Sequence, residues 1–197
     1  MNQYLLSEGD VLERIKRFQI RSQAIPLAIV IISFVLALGF GNNILLLMLA
    51  LAGALLYANA FMTHRFRQRI LQPEANSIYA PISGKMQAFA EQGNIQKITL
   101  RKSVYDPVEI RCPMDGCHWE ADELVLNNPQ LRLSFSAKRI FRITDARMKA
   151  GEVIALMIGP GSCEITMPKS LHLLIKKGSS CQAGESRICI LDDVIQA

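Results

Sequence analysis

AIPLAIVIISFVLALGF at residues 24–40 and ILLLMLALAGALLYANAFM at residues 44–62 decide the architecture of the N-terminal third of this chain. No Asp, Glu, Lys or Arg occurs between Arg21 and Arg65. An uncharged run of that length exceeds what the buried helix of a globular domain needs and matches two bilayer crossings. Each stretch can span a hydrocarbon core of roughly 30 Å at about 1.5 Å rise per residue. The eight Leu and Ile of the second stretch favour insertion by about 4 kcal/mol, at roughly 0.5 kcal/mol each. Gly41, Asn42 and Asn43 supply turn chemistry between the two stretches, and Pro26 falls near the start of the first helix, where proline is tolerated.

The flanks set the orientation. Arg14, Lys16, Arg17 and Arg21 precede the first helix, Arg65, Arg67 and Arg69 follow the second, and the connecting loop is uncharged. Positive residues stay on the cytoplasmic side, so both termini are expected in the cytoplasm, with the hairpin in the inner (cytoplasmic) membrane. A cleaved leader fits less well, because two apolar segments follow one another behind a stretch containing Glu8, Asp10 and Glu13.

The net charge of +5 resembles a nucleic-acid signal until it is divided. Residues 1–69 hold seven Lys and Arg against three Asp and Glu, whereas residues 70–197 hold fifteen against fourteen. The excess therefore borders the apolar hairpin, where anionic headgroups attract it, and no nucleic-acid partner is expected. Five cysteines, an odd number, do not suggest a disulfide framework.

Past residue 77 the periodicity changes. IQKITL, LRLSFS, VIALMI, CEITMP, LHLLIKK and RICIL are short apolar runs separated by Gly, Pro, Asn and Asp, a pattern of antiparallel strands. GPGS at 159–162 reads locally as a turn between two of them. MKAGEVIAL at 148–156 and CQAGESRICIL at 181–191 repeat Ala-Gly-Glu ahead of an apolar strand, a spacing similar to the hairpins of lipoyl/biotinyl-type hybrid barrels. The expected fold class is α+β: an N-terminal transmembrane helical hairpin followed by a mostly β, hybrid-barrel-like soluble domain. Its segments are a cytoplasmic N-terminal segment (1–23), the membrane hairpin (24–62), a basic linker (63–77) and the β domain (78–197).

Taken in order, FMTHRFRQRILQP, IYAPISGKM at 78–86, DPVEIRCPMDG at 106–116, ARMKAGEVIALMIGPGSCEITMP at 146–168 and KKGSSCQAGESRI resemble the segments of the short-form phosphatidylserine decarboxylase proenzyme family. The resemblance implies a Gly-Ser pair at Gly161-Ser162. In that family the serine attacks the preceding carbonyl, the chain divides there, and the serine becomes a pyruvoyl group. That carbonyl forms a Schiff base with the aminophospholipid and accepts electrons as carbon dioxide leaves. The implied cofactor is thus a pyruvoyl group derived from Ser162, and the implied chains are 1–161 and 162–197. The family's activating Asp and His fall on Ser83 and Val108, leaving Glu109 as the substitute base.

Two functions of different classes follow. One is a lyase converting phosphatidylserine to phosphatidylethanolamine in phospholipid metabolism. The other is a catalytically inactive relative that binds lipid or scaffolds, with homo-oligomerisation left open. Three further motifs carry less. CPMDGCH at 112–118 offers two thiols and an imidazole, short of the four ligands a structural zinc site needs, so no metal is expected. Lys169 lacks the hairpin-tip context of a biotin or lipoyl attachment site. His118, His172 and Trp119 read as packing residues.

Overall fold

A computed structural model describes residues 3–41, 43–66, 74, 76–127, 129–143 and 148–191. Asn42, residues 192–197 and most of the expected basic linker, including Arg67 and Arg69, lie outside the described residues. The architecture is α+β, with two apolar helices followed by a curled, mostly antiparallel sheet that forms a half-barrel. The chain divides into two compact units, Met1–Arg65 and Phe66–Ala197.

In the first unit, helix α1 runs Gln3–Phe40 and helix α2 runs Ile44–Thr63. Helix α1 is longer than the sequence pattern predicts, and Pro26 lies in its interior rather than at its start. The reason is local: residues 3–23 are rich in Leu, Glu, Arg, Lys and Gln, all good helix formers. Glu13 and Arg17 add an i,i+4 ion pair at 3.0 Å. Asn43 caps α2 by accepting the Leu45 N–H on its side-chain oxygen at 3.0 Å.

The helices meet through small residues. Gly53 of α2 approaches α1 so closely that an added Cβ would lie 2.9 Å from a Val30 methyl and 3.3 Å from the Pro26 carbonyl oxygen. Ser33 and Ala37 continue the same stripe of α1 at helical spacing and are buried. Large apolar residues face outward instead: Phe34, Leu38, Leu45 and Leu55 are 61%, 73%, 73% and 64% exposed. Gln19–Gly39 and Ile44–Thr63 are each long and apolar enough to cross a membrane.

The second unit contains strands β1 (Ser77–Tyr79), β2 (Gly84–Gln92), β3 (Ile95–Lys102), β4 (Glu109–Arg111), β5 (His118–Glu120), β6 (Glu123–Leu126), β7 (Leu131–Arg142), β8 (Val153–Pro168), β9 (His172–Leu173), β10 (Ser180–Cys181) and β11 (Arg187–Ile190). The larger sheet is ordered β10-β2-β3-β8-β7-β6-β5, with β4 also paired to β8; the smaller is β1-β11-β9. Alternation puts Ile98 and Leu100 of β3, Leu131 and Leu133 of β7, and Cys163, Ile165 and Met167 of β8 into one core.

VIALMI and CEITMP form one strand, not two. GPGS is not a turn: β8 runs through it, with a bulge where Ile158 and Gly161 oppose Arg139 and Ala137 of β7. Gly159 takes φ +84 there, so the local turn chemistry is spent on an irregularity inside a paired strand. LHLLIKK contributes only the two residues of β9.

An internal two-fold relation emerges from the hydrogen bonds. Tyr79 N–H donates to the Pro113 carbonyl at 3.0 Å, and Arg111 N–H donates to the Pro81 carbonyl at 2.8 Å. Ala80 exchanges bonds with the turn at Ala183-Gly184-Glu185, its N–H donating to Ser186 O and its carbonyl accepting from Gly184 N, both at 2.8 Å. Cys112 does the same at Ala150-Gly151-Glu152, donating to Glu152 O and accepting from Gly151 N, again at 2.8 Å. Ser83 Oγ accepts the Ala183 N–H at 3.0 Å, as Asp115 Oδ1 accepts the Ala150 N–H at 2.8 Å. Both turn glycines have positive φ, Gly151 at 80° and Gly184 at 71°. The repeated Ala-Gly-Glu is therefore half of a larger repeat, in which APISG at 80–84 answers CPMDG at 112–116.

Candidate functional site

The Gly161-Ser162 pair sits in the interior of β8, bonded into the ladder on both sides. Gly161 is opposite Lys102 of β3 and Ala137 of β7; Ser162 is opposite Arg101 and Ser136. Cys163, next in sequence, is fully buried, so Ser162 points to the other face of the sheet, away from the core. An added Cβ at Gly161 would lie 2.7 Å from Met157 Sδ, 2.8 Å from Ala137 Cβ and 2.9 Å from Ser136 O. Glycine there serves strand packing.

Glu109 lies on β4, which pairs with β8 well before the Gly-Ser pair. It opposes Leu156, whose β7 partner is Phe141, while Ser162 is matched to Ser136. Five β7 residues separate the two rungs, roughly 17 Å at the usual strand rise. Proton transfer needs heavy atoms within about 3 Å or one bridging water, so the structure does not bring Glu109 to Ser162. Ser83 is occupied as a turn acceptor, as described. Val108 is buried, and its carbonyl accepts the Met157 N–H at 2.7 Å.

The structure gathers a different group of charges. Gln96, Ile98, Leu100 and Lys102 alternate along the inner face of β3, so Lys102 is carried into the core, where it is 1% exposed. Opposite it, Gly161 has no side chain to displace it. Its ammonium donates to the Gly159 carbonyl at 2.9 Å and to the Ser103 carbonyl at 3.3 Å. The first bond gives a partner to a carbonyl at the β8 bulge. Burial pulls the Lys102 amine below the ordinary lysine value of 10.5, and the nearby carboxylates of Asp106 and Glu109, in that order, partly offset this. Asp106 also folds the loop after β3 by accepting the Ser103 N–H at 2.7 Å. Glu109 and Arg111 are both 3% exposed, and Arg111 Nη1 donates to the Gly151 carbonyl at 2.8 Å. Sequence reasoning overlooked Lys102, although the period-two pattern around Ile98 and Leu100 already assigns it to the core face.

The remaining motifs fall into place around this frame. Cys112 and Cys117 share a thiol hydrogen bond that raises Cys112, with burial adding to the rise, and lowers Cys117 against the opposing effect of burial. Cys112 Sγ also donates to the Met114 carbonyl at 2.9 Å. His118 turns instead to Glu120 at 3.2 Å, and among the described residues no three or more His, Cys, Asp and Glu side chains gather as a metal site would require. Trp119 packs on Phe135 at 5.8 Å with the Arg142 guanidinium 4.5 Å over its ring. His172 is exposed rather than packed, and Lys169 is in an ion pair with Glu91.

No family model, no curated protein and no solved structure matches this chain.

Proposed function

We propose that the chain is a membrane-anchored relative of the short-form phosphatidylserine decarboxylases that binds phospholipid without decarboxylating it. One observation carries this reading: the Gly161-Ser162 bond lies in a strand laddered on both sides. Self-cleavage needs the serine oxygen to reach the carbonyl of the preceding residue with a base at hand. A paired, extended backbone opposes that approach, Glu109 on β4 is too far from the pair to assist, and Ser83 and Val108 supply neither acid nor base. A pyruvoyl group is then not formed, and the β unit serves as a binding module.

The anchor reading rests on chemistry that water would not tolerate well. Small residues line the contact between α1 and α2, while Phe34, Leu38, Leu45 and Leu55 are turned outward. That inversion suits a lipid solvent, where close backbone approach drives helix association. The basic residues in the N-terminal half of α1, ahead of most of its apolar stretch, and those after α2 favour the inner membrane with both termini cytoplasmic. Carbonate washing is expected to leave the protein in the membrane pellet; its release into the supernatant would overturn the anchor.

Intact mass tests the catalytic half. The purified protein is expected as a single chain of 22.0 kDa, including after prolonged incubation with phosphatidylserine. The decarboxylase alternative draws support from the bulge at Gly159, which interrupts β8 just before the Gly-Ser pair. Fragments corresponding to 1–161 and 162–197, the smaller blocked at its N-terminus, would establish that alternative.

A further inference from the structure

We propose that Lys85, Arg101 and Ser162, the middle of a transverse row on the outer face of the larger sheet that Ser180 and Ser136 extend on either side, bind the phosphate of an anionic phospholipid. The register places them directly opposite one another across β10, β2, β3, β8 and β7. Directly opposed residues in antiparallel strands project to one face. That face is the outer one, because the next residues, Cys181, Met86, Leu100 and Cys163, are all buried.

The row has the composition of a phosphate site. Lys85 and Arg101 are like charges on adjacent strands with Cβ atoms about 5 Å apart, an arrangement that repels unless an anion lies between them. Both are exposed, and among the described residues neither has a carboxylate partner. The nearby acid Glu164 is committed to Lys97 at 2.9 Å. Arginine can hold two phosphate oxygens at once, lysine adds a point charge, and the Ser162 hydroxyl donates to the third oxygen. Behind the row, Gly84 and Gly161 let the strands approach more closely than side chains allow, which fixes the spacing.

The extent of the row selects the ligand. Two cations and one serine on adjacent strands, about 5 Å apart, match one phosphate group, not the extended basic track of a nucleic-acid surface. The two apolar helices concentrate the chain at a bilayer, where phosphate is carried by lipid. This proposal rests on the lipid-binding reading above and gives Ser162 a role as a hydrogen-bond donor to phosphate.

The test is calorimetric titration of the full chain, reconstituted in phosphatidylcholine nanodiscs, with soluble dihexanoyl phosphatidic acid and separately with inorganic phosphate. The lipid is expected to bind, and Lys85→Gln/Arg101→Gln is expected to weaken it at least about tenfold, the loss of two charge-assisted contacts. Ser162→Ala should weaken it several-fold. The control Lys97→Gln/Arg132→Gln removes the same charge from the same face, where each cation already has an acid partner, Glu164 at 2.9 Å and Glu123 at 3.7 Å, and should change nothing. Without ligand, the Lys85/Arg101 variant should melt no lower than the parent, since it relieves a repulsion; this separates lost binding from lost folding. Binding by the parent that the row variant retains would overturn the site and leave the lipid-binding reading standing. Absence of any lipid binding by the parent would overturn both. Equal affinity for inorganic phosphate would overturn the choice of a lipid.

Discussion

Gly84→Ala is expected to destabilise the β unit more than Gly93→Ala or Gly161→Ala. An added Cβ would lie 2.2 Å from the Arg101 carbonyl oxygen and 2.8 Å from its carbon. Both are backbone atoms of the neighbouring strand, so no side-chain rotation relieves the overlap. Strands β2 and β3 would have to separate beside the Lys85–Arg101 rung, at a cost of about 3 kcal/mol, the upper part of the usual range for overpacking. Gly161→Ala should cost less, because one of its three close neighbours is the flexible end of Met157. Gly93 has nothing within 4 Å and only a φ of +62 to lose, about 1 kcal/mol for a left-handed residue given a side chain. Trp119 is the one tryptophan of the chain and belongs to the β unit, so its fluorescence during denaturation reports this unit alone. A Gly84→Ala midpoint no lower than that of Gly93→Ala would mean that β2 does not lie over β3 as described.

That glycine belongs to APISGK, a segment the resemblance reads in terms of catalysis, and its packing explains how far the sequence could be read. The helical hairpin was legible because charge is absent from 22–64 and composition over such a length has few other uses. The start of α1 was not, because polar residues with high helix propensity carry no hydrophobic signature. Strands β3, β7 and β11 were legible from IQKITL, LRLSFS and RICIL. GPGS failed for a physical reason: Gly-Pro-Gly prefers a turn locally, but pairing to β3 and β7 holds the chain extended and confines the deviation to one bulge. The two-fold relation was half visible, since APISG and CPMDG share only Pro and Gly and become equivalent through their hydrogen bonds. Ser162 and Glu109 could be named from sequence, yet their separation is set by rungs of a ladder that no local pattern specifies.

Lys102→Glu is expected to prevent the β unit from folding. The substitution places a carboxylate among Asp106, Glu109 and the Gly159 and Ser103 carbonyls, all of them negative or electron-rich. Reversing a buried charge in such surroundings costs more than the roughly 3–5 kcal/mol typical of breaking a buried pair. That is a large part of the stability of an ordinary domain. Lys102→Met separates charge from shape: its unbranched chain fills the same space, removes the desolvation of the amine and gives up its two carbonyl bonds. The pH dependence of the parent then identifies the amine directly. Burial lowers the native pKa below 10.5, so between that lowered value and 10.5 the unfolded chain holds more protons than the folded one. Stability should therefore rise with pH across this window and level off above it. Lys102→Met should lose this rise while retaining the native Trp119 signal. A parent whose stability only falls from neutral pH to 10.5, or a Lys102→Glu protein that melts with the parent, would place this lysine outside the core.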